Sequence, residues 1–504
     1  MLLARGMANE HVVIIGGGLA GLAAGCYARA SGLRTTIVEH NVALGGVCQA
    51  WSRGPYTLDG CIHWLTGGPF DKLYRELGIF PKVSTHVLDN FAHYQHKESG
   101  VSVDLTRDLE AVQRALVAMA PEDAQEIRRI MEGAQEIANL DPGIAEPPEL
   151  ASFRESLGRL WDMRGELRTI AHFRKPLGQY ASQHLKSQTL SRFMSRLMPP
   201  EAPALFLLLV LGYLARGWLS RPDGGTARFR DALVESYHAL GGNELLHASV
   251  DEVLIQGNRA RGVRLADGSI LDADFVISTS SAPETVLRLL GGRYAADELH
   301  ERLETWKLFD PIVLVSYGVS TSLAGVPPTL IIDGIEPLDV GGREADSMYV
   351  RIYNDDPTLA PLGHTVVQAM LATSYDFWAR TGTRYTSEKD ALGERVFARL
   401  AAELPALKGT LQVMDVATPL TFWNMARSWR GAFEGWMPNG DALFGHVSKT
   451  LPGLERFYMA GQWVEPGGGV PMALMSGRQV VQILAAQHGH SFAVPFSLAS
   501  ASAA

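Results

Sequence analysis

The chain has 504 residues and a net charge of −9, and 46% of its residues are hydrophobic against 20% charged. This balance excludes a disordered chain, and the lack of a basic run argues against a nucleic-acid partner. The three cysteines, Cys26, Cys48 and Cys61, lack metal-like spacing, so we predict no metal site and a reducing, cytoplasmic location. The opening residues are too short and too polar for a signal peptide, and Met7 is an alternative start.

The first predicted element is a buried parallel strand at 11–16, which runs directly into a glycine-rich turn. The turn satisfies the pattern G-x-G-x-x-G. Gly16 permits a tight bend, Gly18 lets the backbone approach a pyrophosphate, and Gly21 lets the next helix pack closely on the strand.

A helix rich in small residues follows at 22–32, and Leu19 and Ala20 of the preceding turn are, with its glycines, candidate dinucleotide-binding residues. The helix N-terminus offers N–H groups and the positive end of a dipole to phosphates. The second strand, at 35–40, contains Glu39, which is placed to accept hydrogen bonds from a ribose diol. Strand, turn, helix and acid together predict a binding site for an adenine dinucleotide.

The rest of the chain alternates between short strands and helices. Strand patterns at 83–105 are followed by a helical region at 107–140, which a proline at 121 interrupts, and by further helix at 151–214. The remaining predicted elements are a helix at 224–242, short strands at 244–279, strands at 311–318, 327–333, 347–354 and 364–372, a helix at 387–404, a strand at 456–461 and a helix at 470–487.

The most apolar segment is Ala202 to Ala215. It has about fourteen residues, fewer than the roughly twenty that span a bilayer as a helix. A buried core helix is the favoured interpretation, and a lipid-facing or substrate-tunnel helix is the alternative. The segment also motivates the prediction of a peripheral membrane contact.

Five segments carry a family resemblance: 16–25, 37–46, 56–67, 222–233 and 457–478. They resemble the phytoene desaturase family and its relatives, the carotenoid isomerases and retinol saturases, which are FAD-dependent oxidoreductases. The matching segments lie at both ends and in the middle of the chain, whereas the substrate region matches more loosely.

The resemblance implies an α/β fold in which a Rossmann-type, glutathione-reductase-like FAD-binding domain is interleaved with a substrate domain of mixed sheet and helices. The late return of strand–turn–helix character supports this arrangement. The predicted FAD-binding domain comprises residues 1–85, 215–300 and 445–490, the substrate domain 86–214 and 301–444, and a flexible tail 491–504.

The resemblance also assigns contacts to a non-covalently bound FAD. The three glycines of the first turn would hold the pyrophosphate, and Glu39 would hold the adenosine ribose. Gly45 and Gly46 would lie beneath the flavin-side phosphates, and Val250 would offer its backbone to the adenine.

At the other end of the chain, Gly461 and Gln462 would lie near the ribityl phosphate. The helix that begins with Val470 and Met472 would point its N-terminus at the pyrimidine end of the isoalloxazine. This placement is physically reasonable because a reduced flavin carries negative charge there, which a helix N-terminus stabilises. No cysteine lies in this motif, so a covalent thioether to the flavin is not expected here.

Two positions depart from related flavoproteins. Gln462 stands where many of them have an acid, and Val47 stands where amine oxidases usually have an arginine. A second complete G-x-G-x-x-G unit is missing, so we expect no dedicated NAD(P)H domain. Electrons taken from a substrate would leave to oxygen, a quinone or a redox protein, or the reaction would be a redox-neutral isomerisation.

The loop at 56–64 would return the chain towards the flavin, which makes its side chains the candidate catalytic residues. His63 is a candidate proton relay because histidine titrates near neutrality, and a structural histidine is the alternative. Cys61 is a candidate reactive thiol, although buried cysteines usually act as small hydrophobic residues. Trp64 would stack on a flat substrate or, as we favour, fill core.

The preferred hypothesis is an FAD enzyme that desaturates, saturates or isomerises an elongated, apolar, unsaturated substrate such as an isoprenoid or polyene. Such chemistry needs positioning and a dry channel more than strong acids and bases. The first alternative is an amine-oxidase-like flavoprotein oxidase, which Val47 disfavours. The second is a non-catalytic isoprenyl-binding chaperone, which has no need for an intact dinucleotide pattern.

Overall fold

The computed structural model describes residues 10–496 apart from 140–143, 145, 153–157, 159–163, 295–296, 444 and 446. The alternative start at Met7 and the last part of the predicted tail, 497–504, lie outside the described residues. Two large sheets organise the described part of the chain, and a layer of helices covers one of them.

The strands, in chain order, are β1 (His11–Ile15), β2 (Arg34–Val38), β3 (Ala50–Arg53), β4 (Tyr56–Asp59), β5 (Leu65–Thr66), β6 (Thr85–Val87), β7 (Asn90–His96), β8 (Ser102–Thr106), β9 (Leu219–Pro222), β10 (Asn243–Leu245), β11 (Val250–Gln256), β12 (Arg259–Leu265), β13 (Ile270–Asp272), β14 (Phe275–Ser278), β15 (Ile312–Val319), β16 (Thr329–Asp339), β17 (Glu344–Ile352), β18 (Thr365–Ala372), β19 (Leu411–Ala417), β20 (Thr450–Leu451) and β21 (Leu454–Met459).

The α-helices, in chain order, are α1 (Leu19–Ala30), α2 (Asp71–Glu76), α3 (Leu109–Met119), α4 (Ala124–Ile137), α5 (Leu167–Phe173), α6 (Leu177–His184), α7 (Gln188–Leu197), α8 (Ala204–Ala215), α9 (Gly225–Ala239), α10 (Asp297–Thr305), α11 (Tyr375–Ala379), α12 (Tyr385–Glu403), α13 (Pro419–Ala426) and α14 (Val470–His488).

The first sheet has the order β10-β2-β1-β14-β21-β12-β11, with β13 added to β12 and β20 added to β21. Its strands from β10 to β21 are parallel, and β1 at the centre is fully buried from Val12 to Ile14. Helices α1, α9 and α14 cover one face of the sheet. The predicted α/β fold with a Rossmann-type parallel sheet is therefore confirmed.

The second sheet has the order β19-β15-β18-β17-β16-β7-β8 and is antiparallel except where β16 meets β7. One face packs its valines and isoleucines against α12. The other face meets the β3–β4 hairpin, and it does so closely because a β-carbon at Gly318 would lie 2.7 Å from the ring of Tyr56. Six of its seven strands lie where the sequence predicts strands, whereas β19 was not predicted.

The helical layer is built around α8, the most apolar helix. A β-carbon at Gly212 of α8 would lie 2.3 Å from the carbonyl oxygen of Ala134 in α4, so the two helices cross at a distance that only glycine permits. Nine of the twelve residues of α8 are buried, as the core-helix interpretation requires. Within the described residues, no helix combines the length and apolarity that a membrane crossing demands.

The two sheets draw their strands from alternating parts of the chain. The first takes strands from residues 11–38, 243–278 and 450–459, and the second from 90–106 and 312–417. The predicted domain boundaries agree in order with this alternation, and they stay predictions.

Leu208 of α8 provides a test of the helical layer. It is fully buried, and its Cδ2 would lie 2.7 Å from a β-carbon at Gly133. We expect Leu208→Ala to lower the free energy of unfolding by about 2–5 kcal/mol, because the substitution leaves a cavity between α4 and α8. Urea unfolding followed by circular dichroism measures this. The fully exposed Leu362→Ala is the matched control and should change stability by less than about 0.5 kcal/mol.

Candidate FAD and substrate site

Three parallel strands of the first sheet end at one crevice. Gly16 follows β1, Thr279 follows β14, and Gly461 comes shortly after β21. Gly16 has a φ of +98°, and a β-carbon there would lie 2.7 Å from Thr279 Oγ1, so the bend requires glycine. Thr279 Oγ1 bonds to the carbonyl oxygens of Ile15 and Gly16 at 2.9 and 3.0 Å. Ligands of open α/β sheets bind at such a crevice beyond the strand ends.

The glycine turn after β1 and a second glycine turn hold each other by their backbones. Gly45 N–H donates to the carbonyl oxygen of Gly17 at 2.7 Å, and a β-carbon at Gly46 would lie 2.9 Å from Gly18 Cα. A β-carbon at Gly21 would lie 2.1 Å from Gly16 O, which confirms the close packing of helix on strand that the sequence predicts. We name this pair of turns, residues 16–21 and 45–46, the glycine clasp.

Gly18 differs from its neighbours in the clasp because space is open around it. A β-carbon there would find nothing nearer than Gly46 Cα at 3.8 Å, and its φ of −69° suits any residue. The protein fold itself therefore does not require glycine at this position. A ligand that approaches the backbone does, as the predicted pyrophosphate would.

Glu39 lies at the end of β2 with its carboxylate turned to the glycine clasp. Its Oε2 accepts from Gly17 N–H at 2.7 Å, and its Oε1 accepts from Asn41 N–H at 2.9 Å and lies 2.9 Å from His40 Nδ1. Burial opposes its charge, but these hydrogen bonds together hold the pKa of Glu39 below its usual value. The carboxylate is thus ionised and oriented at neutral pH, as a ribose acceptor needs to be.

Two helix N-termini face the crevice region. Helix α1 starts with Leu19 and Ala20 after Gly18, and α14 starts with Val470 after Gly469, in both cases without a side chain that caps the first turn. The two helices pack tightly, because a β-carbon at Gly477 would lie 2.5 Å from Ala20 O. Their uncapped N–H groups and dipoles favour negative charge.

Three of the predicted contacts are only partly defined by the structure. The Gln462 side chain donates to the carbonyl oxygen of Phe433 at 2.5 Å, and the Val250 carbonyl accepts from Arg288 at 2.9 Å. Met472 packs against the hydrophobic core under the first sheet. Neither hydrogen bond uses the full capacity of its group, because a carbonyl oxygen accepts two bonds and an amide NH2 donates two, so the three assignments stay predictions.

Sequence reasoning missed Arg230, a residue of α9 beside the glycine clasp. A β-carbon at Gly45 would lie 2.5 Å from Arg230 Cδ, and the guanidinium donates to Gln49 Oε1 at 2.5 Å and to Asp231 at 2.8 Å. It brings a positive charge to the turn in which Val47 replaces an arginine. The only sequence signal was its place within the family-like segment 222–233.

The β3–β4 hairpin leads from the glycine clasp to the second sheet. At its end Asp59 is buried, and its carboxylate accepts from the N–H groups of Thr226 and Cys61 at 2.7 and 3.1 Å. Burial raises the pKa of Asp59 despite these hydrogen bonds. Gln368 of β18 donates to the carbonyl oxygen of Asp59 at 2.5 Å, which ties the hairpin to the sheet.

His63 lies between the hairpin and the second sheet. We expected it to titrate near neutrality, and in the structure it does not. Burial lowers its pKa to about 4, and the positive charges of Arg351 and Arg221 lower it further in the same direction. Its Nε2 is shielded from solvent and finds no hydrogen-bond partner among the described residues. His63 is therefore neutral at pH 7, which corrects the argument for a proton relay that titrates near neutrality.

The two arginines belong to a buried ion-pair network that holds His63 in place. Arg221 Nε donates to the carbonyl oxygen of His63 at 3.0 Å, and Arg351 pairs with Asp355 at 2.6 Å. Arg221 also pairs with Asp355. Burial opposes the charge of Asp355, but His86 and the two arginines keep its pKa well below its usual value.

The structure also shows the surroundings of Cys61 and Trp64, the other residues that we considered in this loop. The pairing of Ala50 with Asp59 continues through Gly60 N–H, which donates to Gln49 O at 3.0 Å, so Cys48 and Cys61 come to lie opposite each other. The hydrogen bond that the Cys48 thiol donates to Cys61, together with burial, raises the pKa of Cys48. Trp64 packs edge to face on Phe91 with ring centroids 5.9 Å apart, as the core-filling interpretation expects.

A cavity of about 490 Å³ opens between α7 and strands β16 to β18 of the second sheet. Its lining is more polar than apolar and combines apolar with charged side chains. Tyr349 lines the cavity, and its ring lies 6.1 Å from that of His63. Other lining residues are the apolar Ile331, Met370 and Leu371 and the charged Arg196, Arg343 and Asp346.

Glu434 is a titratable group that the sequence did not single out. Burial raises its pKa from 4.5 to about 7. A β-carbon at Gly468 would lie 2.6 Å from its carbonyl oxygen and 3.1 Å from its Cβ, so Glu434 stands beside the loop that leads into α14. A carboxyl group that exchanges its proton near neutral pH is a candidate proton carrier.

The family model described as flavin containing amine oxidoreductase matches residues 19–485, which is nearly the whole chain. The chain therefore belongs to this family of FAD-dependent oxidoreductases, and FAD is its cofactor. The glycine clasp, the ionised Glu39 and the two uncapped helices fit the two phosphates and the ribose of FAD. Our prediction of an FAD-dependent oxidoreductase is confirmed.

Relatives match almost the full length of the chain at low identity. A phytoene desaturase (lycopene-forming) of Pseudescherichia vulneris is 23% identical over 498 residues, which cover 94% of this chain and 99% of that protein. A prolycopene isomerase of Arabidopsis thaliana is 23% identical over 501 residues, covering 95% and 83%. These relatives confirm the predicted resemblance to carotenoid desaturases and isomerases.

Solved structures share the fold. Putrescine oxidase bound to putrescine has a TM-score of 0.62 at 17% identity, with 95% of this chain and 99% of that chain covered. Cyclohexylamine oxidase from Brevibacterium oxydans has a TM-score of 0.59 at 16% identity, covering 94% and 99%.

Glu39→Gln tests the ribose contact. The substitution removes the charge that strengthens hydrogen bonds to a diol, which is worth about 1.5–3 kcal/mol, so FAD should bind about tenfold to a hundredfold more weakly. Titration of the deflavinated protein with FAD measures the dissociation constant. Glu235→Gln, a half-exposed acid of α9 that pairs with Arg228, is the control and should bind FAD as the parent does. Equal affinity of the Glu39 variant and the parent would contradict the assignment.

The raised pKa of Glu434 predicts that the stability of the fold depends on pH. Because its pKa is raised from 4.5 in the unfolded chain to about 7 in the fold, stability is full below pH 4.5 and declines as the pH rises through 7. Glu434→Gln lacks this loss, so its melting temperature relative to the parent should increase between pH 4.5 and 7 and then level off. Thermal unfolding across this pH range measures it, and a constant difference would be evidence against the raised pKa.

Proposed function

We propose that the protein desaturates, saturates or isomerises an elongated, apolar, unsaturated substrate of the isoprenoid or polyene class. The observation that carries this proposal is the cavity in the second sheet, where Ile331, Tyr349 and Met370 lie side by side on adjacent strands. Its volume of about 490 Å³ falls within the range of ligand sites, roughly 300–1,000 Å³. The full-length similarity to carotenoid desaturases and isomerases supports the same substrate class.

FAD, when bound, supplies the acceptor or donor of a hydride. The chain's own residues bind and orient the substrate. Tyr349 and Met370 offer flat and flexible apolar surface, and the helical layer around α8 keeps water away from the sheet. In this proposal, the charged side chains of Arg196 and Arg343 mark the end of the cavity that faces solvent.

Proton transfer in this site would involve weak acids and bases. His63 stays neutral, and its shielded Nε2 lacks a partner among the described residues, so it would accept a proton from a substrate carbon as a weak base. Glu434 would exchange a proton with the medium near pH 7. Cys61, our second candidate, forms a hydrogen bond with Cys48 and would line the site without reacting.

Whether the protein needs an electron acceptor depends on which of these reactions it catalyses. Desaturation removes a hydride and a proton from the substrate, so a quinone, oxygen or a redox protein would have to take up two electrons in each turnover. Isomerisation needs no net acceptor. A peripheral contact with the membrane that holds such substrates, by a protein otherwise in the cytoplasm, is part of the proposal.

Turnover of polyenes tests the proposal. The holoprotein is incubated with liposomes that contain phytoene, zeta-carotene or prolycopene, with and without a quinone, and the products are separated by chromatography. We expect a change in the number or geometry of conjugated double bonds. Release of hydrogen peroxide with putrescine or cyclohexylamine, together with unchanged polyenes, would instead favour an amine oxidase.

Met370→Trp provides a sharper version of the same test. The larger side chain should fill the cavity and lower polyene turnover at least tenfold, on the order of 1.4 kcal/mol, while the FAD content stays normal. Leu411→Trp in β19, at an exposed position, is the matched control and should retain turnover. Unimpaired turnover by Met370→Trp would show that the substrate binds elsewhere.

A further inference from the structure

Three potential metal ligands meet in the helical layer, on helices that do not contribute to the glycine clasp. Glu126 lies in α4, His172 in α5 and His184 at the end of α6. One carboxylate oxygen and one ring nitrogen from each histidine all lie within 4.8 Å of one another. The three residues come from three different helices, and no sequence motif predicted their meeting.

The local fold explains why the ligands converge. His172 and His184 both stand in the last turn of their helices, where carbonyl groups give a helix its negative end. Pro176 begins a new helix between them and turns the chain back, which places the two rings 4.7 Å apart between centroids. Two helix C-termini and one carboxylate therefore face a common point, which favours a cation.

The carboxylate is already oriented by neighbours that are not ligands. Glu126 is buried, its Oε1 accepts from Tyr180 O–H at 2.5 Å, and its Oε2 pairs with Arg129 at 2.8 Å. Partners of this kind hold the ligands of metal sites in place. His172 Nε2 lies 2.9 Å from Glu126 Oε1.

An ion pair between Glu126 and His172 would not by itself explain why the His184 ring also lies beside these two groups. The His184 ring lies 4.7 Å from the His172 ring between centroids, and one of its nitrogens lies within 4.8 Å of the other two ligand atoms. Both histidines are only partly buried, which leaves a path for an ion from solvent.

We propose that Glu126, His172 and His184 form a binding site for a Zn²⁺ ion, with water as the fourth ligand. Two imidazoles and one carboxylate are a common zinc donor set, and the three ligand atoms already lie within 4.8 Å of one another. Arg129 and Lys175 carry the positive charges nearest the cluster and should moderate the affinity.

Zinc at this site would connect α4, α5 and α6. The start of α4 already holds the start of α7, because Asp123 accepts from the N–H groups of Lys186 and Ser187 at 2.8 Å each. Arg196 of α7 lines the cavity. The ion would therefore stabilise the helices that support one wall of the cavity.

The test uses the untagged holoprotein after treatment with a chelator. Zinc chloride is titrated by calorimetry, and the melting temperature is recorded with and without the ion. We expect one zinc ion per chain and a higher melting temperature, because the ion binds the folded state. His184→Ala should bind zinc at least about tenfold more weakly and lose the temperature shift. His238→Ala, an exposed histidine of α9, should behave as the parent does.

A second control separates this site from the thiols. Cys61→Ser removes the thiol that faces Cys48 and should leave zinc binding unchanged. The proposal is overturned if the parent binds no zinc, if His184→Ala binds it as tightly as the parent, or if binding disappears in Cys61→Ser. The flavin absorbance of each variant reports whether its fold is intact.

Discussion

The backbone contact between two glycine turns is the constraint on which the rest of the structure depends. Gly45 N–H bonds to Gly17 O, and Gly46 has no room for a side chain against Gly18. This contact fixes the end of β1 relative to the start of the β3–β4 hairpin. It leaves backbone N–H groups and open space together, which phosphates require and side chains would block.

The hairpin carries this constraint from the cofactor to the substrate side. Asp59 at its end is held by Thr226 and Gln368, and His63 just beyond is held by Arg221. A change in the glycine clasp would therefore also move Asp59 and His63. The FAD site and the second sheet are in this sense connected, although the two sheets are built from separate parts of the chain.

The sequence predicted the parts of the site whose cause is local. The glycine turn, the helix that follows this turn and Glu39 could be predicted from their spacing within thirty residues, and the structure has each of them in place. Arg230, Thr279 and Glu434 could not be predicted, because their meaning depends on contacts between distant segments. The neutral state of His63 has the same origin, since it is caused by burial and by Arg221 and Arg351. Strand β19 escaped prediction because its mixed polar pattern is typical of an exposed edge.

The flavin content of Gly18→Ala tests the central claim most directly. The fold has room for this methyl group and the backbone conformation suits alanine, so circular dichroism and folding should stay normal. The methyl group would, however, occupy the space through which the pyrophosphate approaches the backbone. The account predicts a folded protein with little or no bound FAD. A folded variant that is as yellow as its parent would contradict it.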